Sequence, residues 1–509
     1  MKRTIQTITA LLLIHTAFAQ GKLSIENVKT VFVRSTGPIT TNNEVKGYFT
    51  FFQSDKVDKK NNEYTLQIMD DNLNKVKDVQ FVDSKNITLQ ESAFDNNSLL
   101  FKFYNQDEKT YDCRVYGVDG KLKFNYERAV DKKTLDFLKA TKMPPGSESN
   151  NLFAVEDKGF IAVYPQLMDD IPTFEVNFYS SREKRQWSYV PPVVKPAGGS
   201  FLGCSDNVAM FLVLKQAGTL LTPKLETWIL GIYLQNGQRA FEIRTDAQQY
   251  NLMPMSVIKL KGTDNFMLLG AYFEKEEKNM GGRSLGVGLW LMNSSGRVMN
   301  TKYNSWETEI SKVLNVNEKG NVENLGYVFF HDLIETEDGH FFAVCEGYKR
   351  TGNAVGIATI GVGGGMSKMI VTDMLLLHFD QKFNIKEAKI FEKNSNTLEL
   401  PAGMMMLNLA AAGNYIKYGA YGFDYAFTQM DQSRSSFTVG YTDYVKDRDY
   451  KGLTFNAISY NNGSLSTDKI NLKTEAGNMR IFAAKPGSVM IMEYFKKDKK
   501  LNMRLEKIN

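Results

Sequence analysis

Histidine, cysteine and proline are scarce in this chain. Its 509 residues include 4 histidines, 3 cysteines and 12 prolines. Cys113, Cys204 and Cys345 are odd in number and far apart, which argues against a disulfide-stapled scaffold. Each sits in apolar surroundings and reads as a small buried hydrophobe; a catalytic thiol would need a nearby base. No Pro/Ser-rich linker divides the chain. An excess of one charge is also missing. Lys+Arg total 62 against 57 Asp+Glu, a formal net charge of +5, which argues against a nucleic-acid partner. After the first residues no apolar run reaches the roughly 20 positions that span a bilayer. Familiar catalytic motifs are missing too. There is no Gly-x-Ser-x-Gly elbow, His-Glu-x-x-His, Cys-x-x-Cys, calcium-loop spacing or sialidase-type Asp box. No catalytic residue, metal or cofactor is expected.

What is present points to a folded β protein. Hydrophobic residues make up 43% and charged residues 23%, enough to bury one or two large cores. The 33 phenylalanines, 24 tyrosines and 39 glycines favour strands separated by turns.

The N-terminus reads as a processing signal. Lys2 and Arg3 precede an apolar stretch from Ile8 to Phe18, and Ala17-Phe18-Ala19 fits a small-x-small cleavage site. Cleavage would remove residues 1–19 and leave Gln20 first. No cysteine follows, which argues against a lipid anchor. The expectation is an exported chain, periplasmic or extracellular, with residues 20–509 as one domain.

From about residue 29 onward short apolar-alternating runs recur. Examples are YTLQIMD (64–70), SLLFKFYN (98–105), FMLLGAYF (266–273) and VMIMEYF (489–495). Near-continuous apolar runs suit strands covered on both faces. Tight turns such as Asp119-Gly120, Asn236-Gly237 and Asn462-Gly463 follow them, then a more polar strand. The repeating unit is four antiparallel strands, a to d, which predicts an all-β fold, a single β-propeller. Eight blades are expected, with seven and a tandem pair of β-sandwiches as alternatives. The last unit ends before its strand d. The unpaired run KLSIENV (22–28) is expected to supply that strand and close the ring.

Alternating strand direction sends loops after b and after d to one end of the ring. Every long insertion falls there: 129–149, 305–325 and 393–414 after d, and 55–62, 165–172, 274–284, 349–370 and 445–451 after b. This end is expected to bind. Residues 131–142 and 307–319 carry helical spacing and are expected to cap it as small helices.

Candidate binding residues follow from composition. The glycine-rich segment 350–370 holds Ile357, Ile360 and Met366 in a loop over this end. Residues 404–427 hold Tyr415, Tyr418 and Tyr421 among other aromatics, suited to sugar stacking, protein contact or core packing. His331 and Asp332 lie on an inner strand. As strand neighbours they should point to opposite faces, so structural hydrogen bonding is favoured over acid–base catalysis. His340 in an a–b turn, His378 on strand c and His331 on strand a should not converge, which argues against a three-histidine metal site.

The stretch GYFTFFQSDKVDKKNNEYTLQIMDDNLNKVKDVQF (47–81), the repeats after it and the Ala-Phe-Ala-Gln region resemble exported β-propeller-like proteins of Bacteroidota without an assigned activity. The resemblance covers most of the mature chain by pattern and implies no catalytic residues. The final LNMRLEKIN is unlike the sorting domain those bacteria use. The expected role is a binding or scaffold protein of the cell envelope with a protein or glycan partner. The alternatives are a glycan-active hydrolase or lyase and a subunit of an envelope complex.

Overall fold

The computed structural model describes residues 21–508, except 42–43, 141–150, 193, 219–222, 261, 278–279, 281–283, 318–321, 323, 352–367, 400–411, 414 and 421. The expected leader thus lies outside the described residues.

Apolar content sets where each strand sits. Strands b and c are the most apolar and lie mid-blade, as in Ser98–Asn105, buried at every position, and Asn265–Phe273. Strands d, such as Ser464–Asn471, alternate exposed and half-buried residues and form the outer edges. The strands group into eight antiparallel sheets, each a blade in sequence order. Blade 1 runs Thr30–Thr41, Glu44–Lys56, Asn61–Asp70 and Lys75–Ser84. Eight is therefore the blade count.

Blade 8 is built from both ends of the described chain. Strands Asn478–Ala483, Ser488–Phe495 and Lys500–Lys507 are completed by Lys22–Ile25, in the order expected. Leu23 pairs with Met503 and Ile25 with Leu501. The core is a series of slabs between neighbouring blades. The slab joining blades 8 and 1 holds Val28, Tyr48, Phe52, Met490, Leu501 and Met503. Each fully buried side chain of this kind contributes about 1.5–3 kcal/mol.

One c–d turn recurs. In blade 1 the Asp70 carboxylate accepts the N–H groups of Asn72 (2.9 Å) and Asn74 (2.8 Å). In blade 6 Asp380 accepts those of Lys382 and Asn384, both at 2.9 Å. The residue before each asparagine, Leu73 or Phe383, has positive φ (67° and 59°). Leu73 is buried and Phe383 packs on Phe341, so apolar packing offsets the backbone strain. Blades 4 and 5 have Gly237 and Gly296 there (73° and 82°), without that strain.

The helix at 131–142 forms as Lys132–Ala140, capped by Asp131, whose carboxylate accepts the Thr134 N–H at 2.9 Å. It buries Thr134, Leu135 and Leu138. Among the described residues of 307–319 the expected helix does not form. Only Ile310–Lys312 makes a short 3₁₀ turn. Glu309 turns back onto the Ser305 N–H (2.8 Å), and Val316 enters a bridge with Val322.

Three expected insertions are strand extensions instead. Around 165–172 the strands Gly159–Met168 and Ile171–Ser180 continue to a two-residue turn, Asp169-Asp170, both at positive φ (50° and 63°). In segments 55–62 and 445–451 the strands likewise run on and leave connections of only four residues, 57–60 and 447–450. The genuinely long connections still share the b–c and d–a end. At the other end no connection exceeds five residues. In blade 6 Phe341–Thr351 and Lys368–Phe379 extend past strand d, and Asn396–Glu399 pairs with the extension.

Candidate functional site

The d–a connection between blades 6 and 7 meets strands a and b of blade 6 at a buried charged cluster. Glu346, which follows the apolar run FFAVC in strand b (Phe341–Thr351), lies at its centre. One carboxylate oxygen faces His331 Nε2 at 3.1 Å and accepts the Tyr425 N–H at 3.2 Å. The other accepts the Asp424 N–H at 3.1 Å and meets Lys393 Nζ at 3.1 Å. Lys393 also donates to Asp424 at 2.6 Å. Lys417 Nζ stands 3.1 Å from His331 Nδ1 and 4.5 Å from the Tyr425 ring centroid. The His331 ring stacks on Tyr425 at 4.5 Å, 8° from parallel.

A charged lysine has only donors to offer, so His331 accepts at Nδ1 and donates from Nε2 to Glu346. Burial, with Lys417 and Lys393 nearby, holds the imidazole well below its ordinary range and therefore neutral. Burial raises the Glu346 carboxyl against the pull of Lys393. It lifts Asp424 to about 6 and lowers Lys417 to about 8. Lys393 is held above its usual value, because Glu346 and Asp424 outweigh the burial that disfavours its charge. The side chains of His331, Glu346 and Lys393 are 0% exposed. Among the described residues the cluster is closed to solvent. Its chemistry is anchoring: it ties the connection at 392–424 to the blade.

The register of strands a and b jumps between Phe330 and Asp332, a bulge at His331. Lys417 and Tyr425 lie near both residues: Lys417 stands 3.1 Å from His331 Nδ1 and feels the Asp332 carboxylate, and Tyr425 stacks on His331 and also feels Asp332. Burial lifts Asp332 to about 6, against a hydrogen bond from Thr428. Tyr415 is half-buried and packs against Phe329, Tyr348 and Met369. Tyr418 belongs to a single π-helical turn, Tyr415–Gly419. Tyr421, Ile357, Ile360 and Met366 lie outside the described residues.

The expected separation of His340 and His378 is corrected. Their ring nitrogens, Nδ1 and Nε2, are 2.7 Å apart. The a–b turn and the end of strand c lie at the same end of a blade, so the two histidines meet although 38 residues separate them. His331, further along strand a, stays apart, and among the described residues no three His, Cys, Asp or Glu form a metal set.

A cavity of about 680 Å³ opens at the a–b end of the ring. Its lining comes from the a–b turns of blades 3, 4, 5 and 7, including Glu156, Lys158, Asp206, Lys259 and Arg434. Sharing by blades on opposite sides of the ring places it at the channel mouth. A hydrogen bond from Lys259 (2.6 Å) holds Asp206 below the usual carboxylate range. This cavity lies opposite the end expected to bind.

All three cysteines are free. Burial pushes Cys113 up to about 11 and Cys204 up to about 12, and holds Cys345 well above its ordinary value. Cys113 and Cys345 are fully buried, whereas Cys204 is half-buried and lines the cavity. Titration with an aromatic disulfide reagent should therefore find three thiols in denaturant and only slow, partial labelling of the native protein, beginning at Cys204. A single thiol in denaturant would mean a disulfide and refute this assignment; rapid native labelling would refute the protected thiols.

A family model described as "Family of unknown function (DUF6770)" matches residues 1–509. No curated protein matches the chain. Among solved structures, the WD40 domain of SCAP from fission yeast aligns at 9% identity over 95% of this chain and 94% of its own, with a TM-score of 0.37. Sqt1 from Chaetomium thermophilum aligns at 10% identity over 96% and 100%, with a TM-score of 0.39. The β-propeller domain of the Trilobed protease from Pyrococcus furiosus aligns at 11% over 75% and 99%, with a TM-score of 0.31.

Proposed function

The chain belongs to the DUF6770 family of unknown function, and we propose that it is an exported binding or scaffold β-propeller of the cell envelope that engages its partner at the b–c and d–a end. One observation carries this reading: every connection longer than ten residues lies at that end, while those at the other end do not exceed five. The buried cluster adds to it. Desolvating charges costs several kcal/mol per ion, and here those charges fix a connection that reaches the surface. The leader expected at residues 1–19 supports export.

A direct test shortens residues 352–366 to a few residues and measures in-cell crosslinking of the envelope protein. The shortened chain should keep its melting temperature and lose most crosslinked partner. Undiminished crosslinking, joined to a loss after altering the Asn236-Gly237 turn, would place the working face at the other end.

The channel-mouth cavity favours a second reading, a small charged ligand held by Lys158, Lys259 and Arg434. It gives little support to glycoside hydrolysis there. That reaction needs a carboxyl raised enough to donate a proton, and Lys259 keeps Asp206 ionised.

A further inference from the structure

We propose that His340 and His378 form a two-imidazole site for a divalent transition-metal ion at the a–b end of blade 6, with copper(II) bound most tightly. The pair stands outside the binding surface and the buried cluster described above.

The geometry carries the proposal. His340 Nδ1 and His378 Nε2 are 2.7 Å apart. Two imidazoles bound cis on a square-planar centre, with bonds of about 2.0 Å, set their nitrogens about 2.8 Å apart. Hardly any approach or separation is therefore required. In the metal-free pair one facing nitrogen donates a hydrogen bond to the other; on binding, that proton moves to the other nitrogen of its ring, and both facing nitrogens then offer a lone pair to the ion while the rings stay neutral.

The surroundings suit a cation. Both histidines are half-buried, so solvent reaches them. Phe342 stacks flat on His378 at 4.4 Å and 5°, which fixes that ring. The His340 turn is held by Asp338, which accepts from Thr336 Oγ1 at 2.6 Å and from the His340 N–H at 3.3 Å. Glu387, exposed, is the cross-strand partner of His378 and shares its face of the sheet. Asp338 and Glu387 thus offset the charge of the ion. Among the described residues no third ligand completes a set, so water fills the other positions and the ion is exchangeable. Imidazole nitrogens suit copper and zinc, and affinity peaks at copper(II).

The test uses tag-free protein beginning at Gln20, titrated with copper(II) chloride and separately with zinc chloride by calorimetry, with copper EPR on the 1:1 sample. One saturable copper equivalent is expected, with a dissociation constant in the micromolar range or tighter. His340→Gln and His378→Gln should each weaken it at least tenfold. The EPR spectrum should show two imidazole nitrogens. That readout stands without any variant, because removing His15 with the leader leaves three histidines and the His331 side chain is 0% exposed. No saturable binding, binding unchanged in both variants, or fewer than two imidazole nitrogens overturns the site.

Discussion

Glu346→Ala is expected to destabilise the propeller by about 3–5 kcal/mol, the usual cost of removing one partner from a buried ionic arrangement. The carboxylate has four contacts: His331, Lys393 and the N–H groups of Asp424 and Tyr425. Without it Lys393 keeps Asp424 alone, and two backbone donors lose their acceptor. Glu346→Gln retains an oxygen but no charge and should lose less. Adding Lys393→Met to Glu346→Ala should return part of the loss, since the two groups are coupled. Urea unfolding of the four proteins measures this. A loss below about 1 kcal/mol for the alanine variant would show that the cluster does not hold blade 6 to the connection.

Removing residues 22–28 should lower the melting temperature by several degrees and promote self-association. Without Lys22–Ile25, strand Lys500–Lys507 becomes an open edge, the kind of edge that pairs with other chains. Val28, fully buried between blades 8 and 1, is also lost. So are the hydrogen bonds Val28 N–H to the Lys499 carbonyl (2.8 Å) and Tyr494 hydroxyl to the Val28 carbonyl (3.2 Å). Calorimetry and size-exclusion chromatography across a concentration range provide the readout. An unchanged melting temperature and a monomeric profile would mean that the ring does not depend on this strand for closure.

Both variants act on features of different legibility. The closing strand is readable because strand counting leaves one unit short at the end and one run spare at the start. The cluster around Glu346 leaves a fainter trace. A lone charge interrupts an apolar strand b, as in FFAVCEGY, SLLFKFYN and SVMIMEYF. In each case the charge is buried and paired: Glu346 with Lys393, Lys102 with Glu91, Glu493 with Arg504. An interrupted strand b is thus a signal for a buried partner, although it does not name the partner.

By itself the sequence pointed to an all-β propeller, to eight blades with seven left open, to the strand roles within a blade and to the end that receives the long connections; the structure decided the count. These follow from local pattern: apolar runs where both faces are covered, alternation at the edge, and turn residues at fixed places. Tertiary structure alone decided which distant groups meet. A bulge sits at His331, and Lys417 comes near both His331 and Asp332. The contact of His340 with His378 depends on two connections sharing one end of a blade. Lys393 reaches Glu346 and Lys417 reaches His331 because the d–a connection folds back over blade 6. Periodicity reports which face of a strand is covered; it does not report what covers it, and the chemistry of this propeller depends on the second.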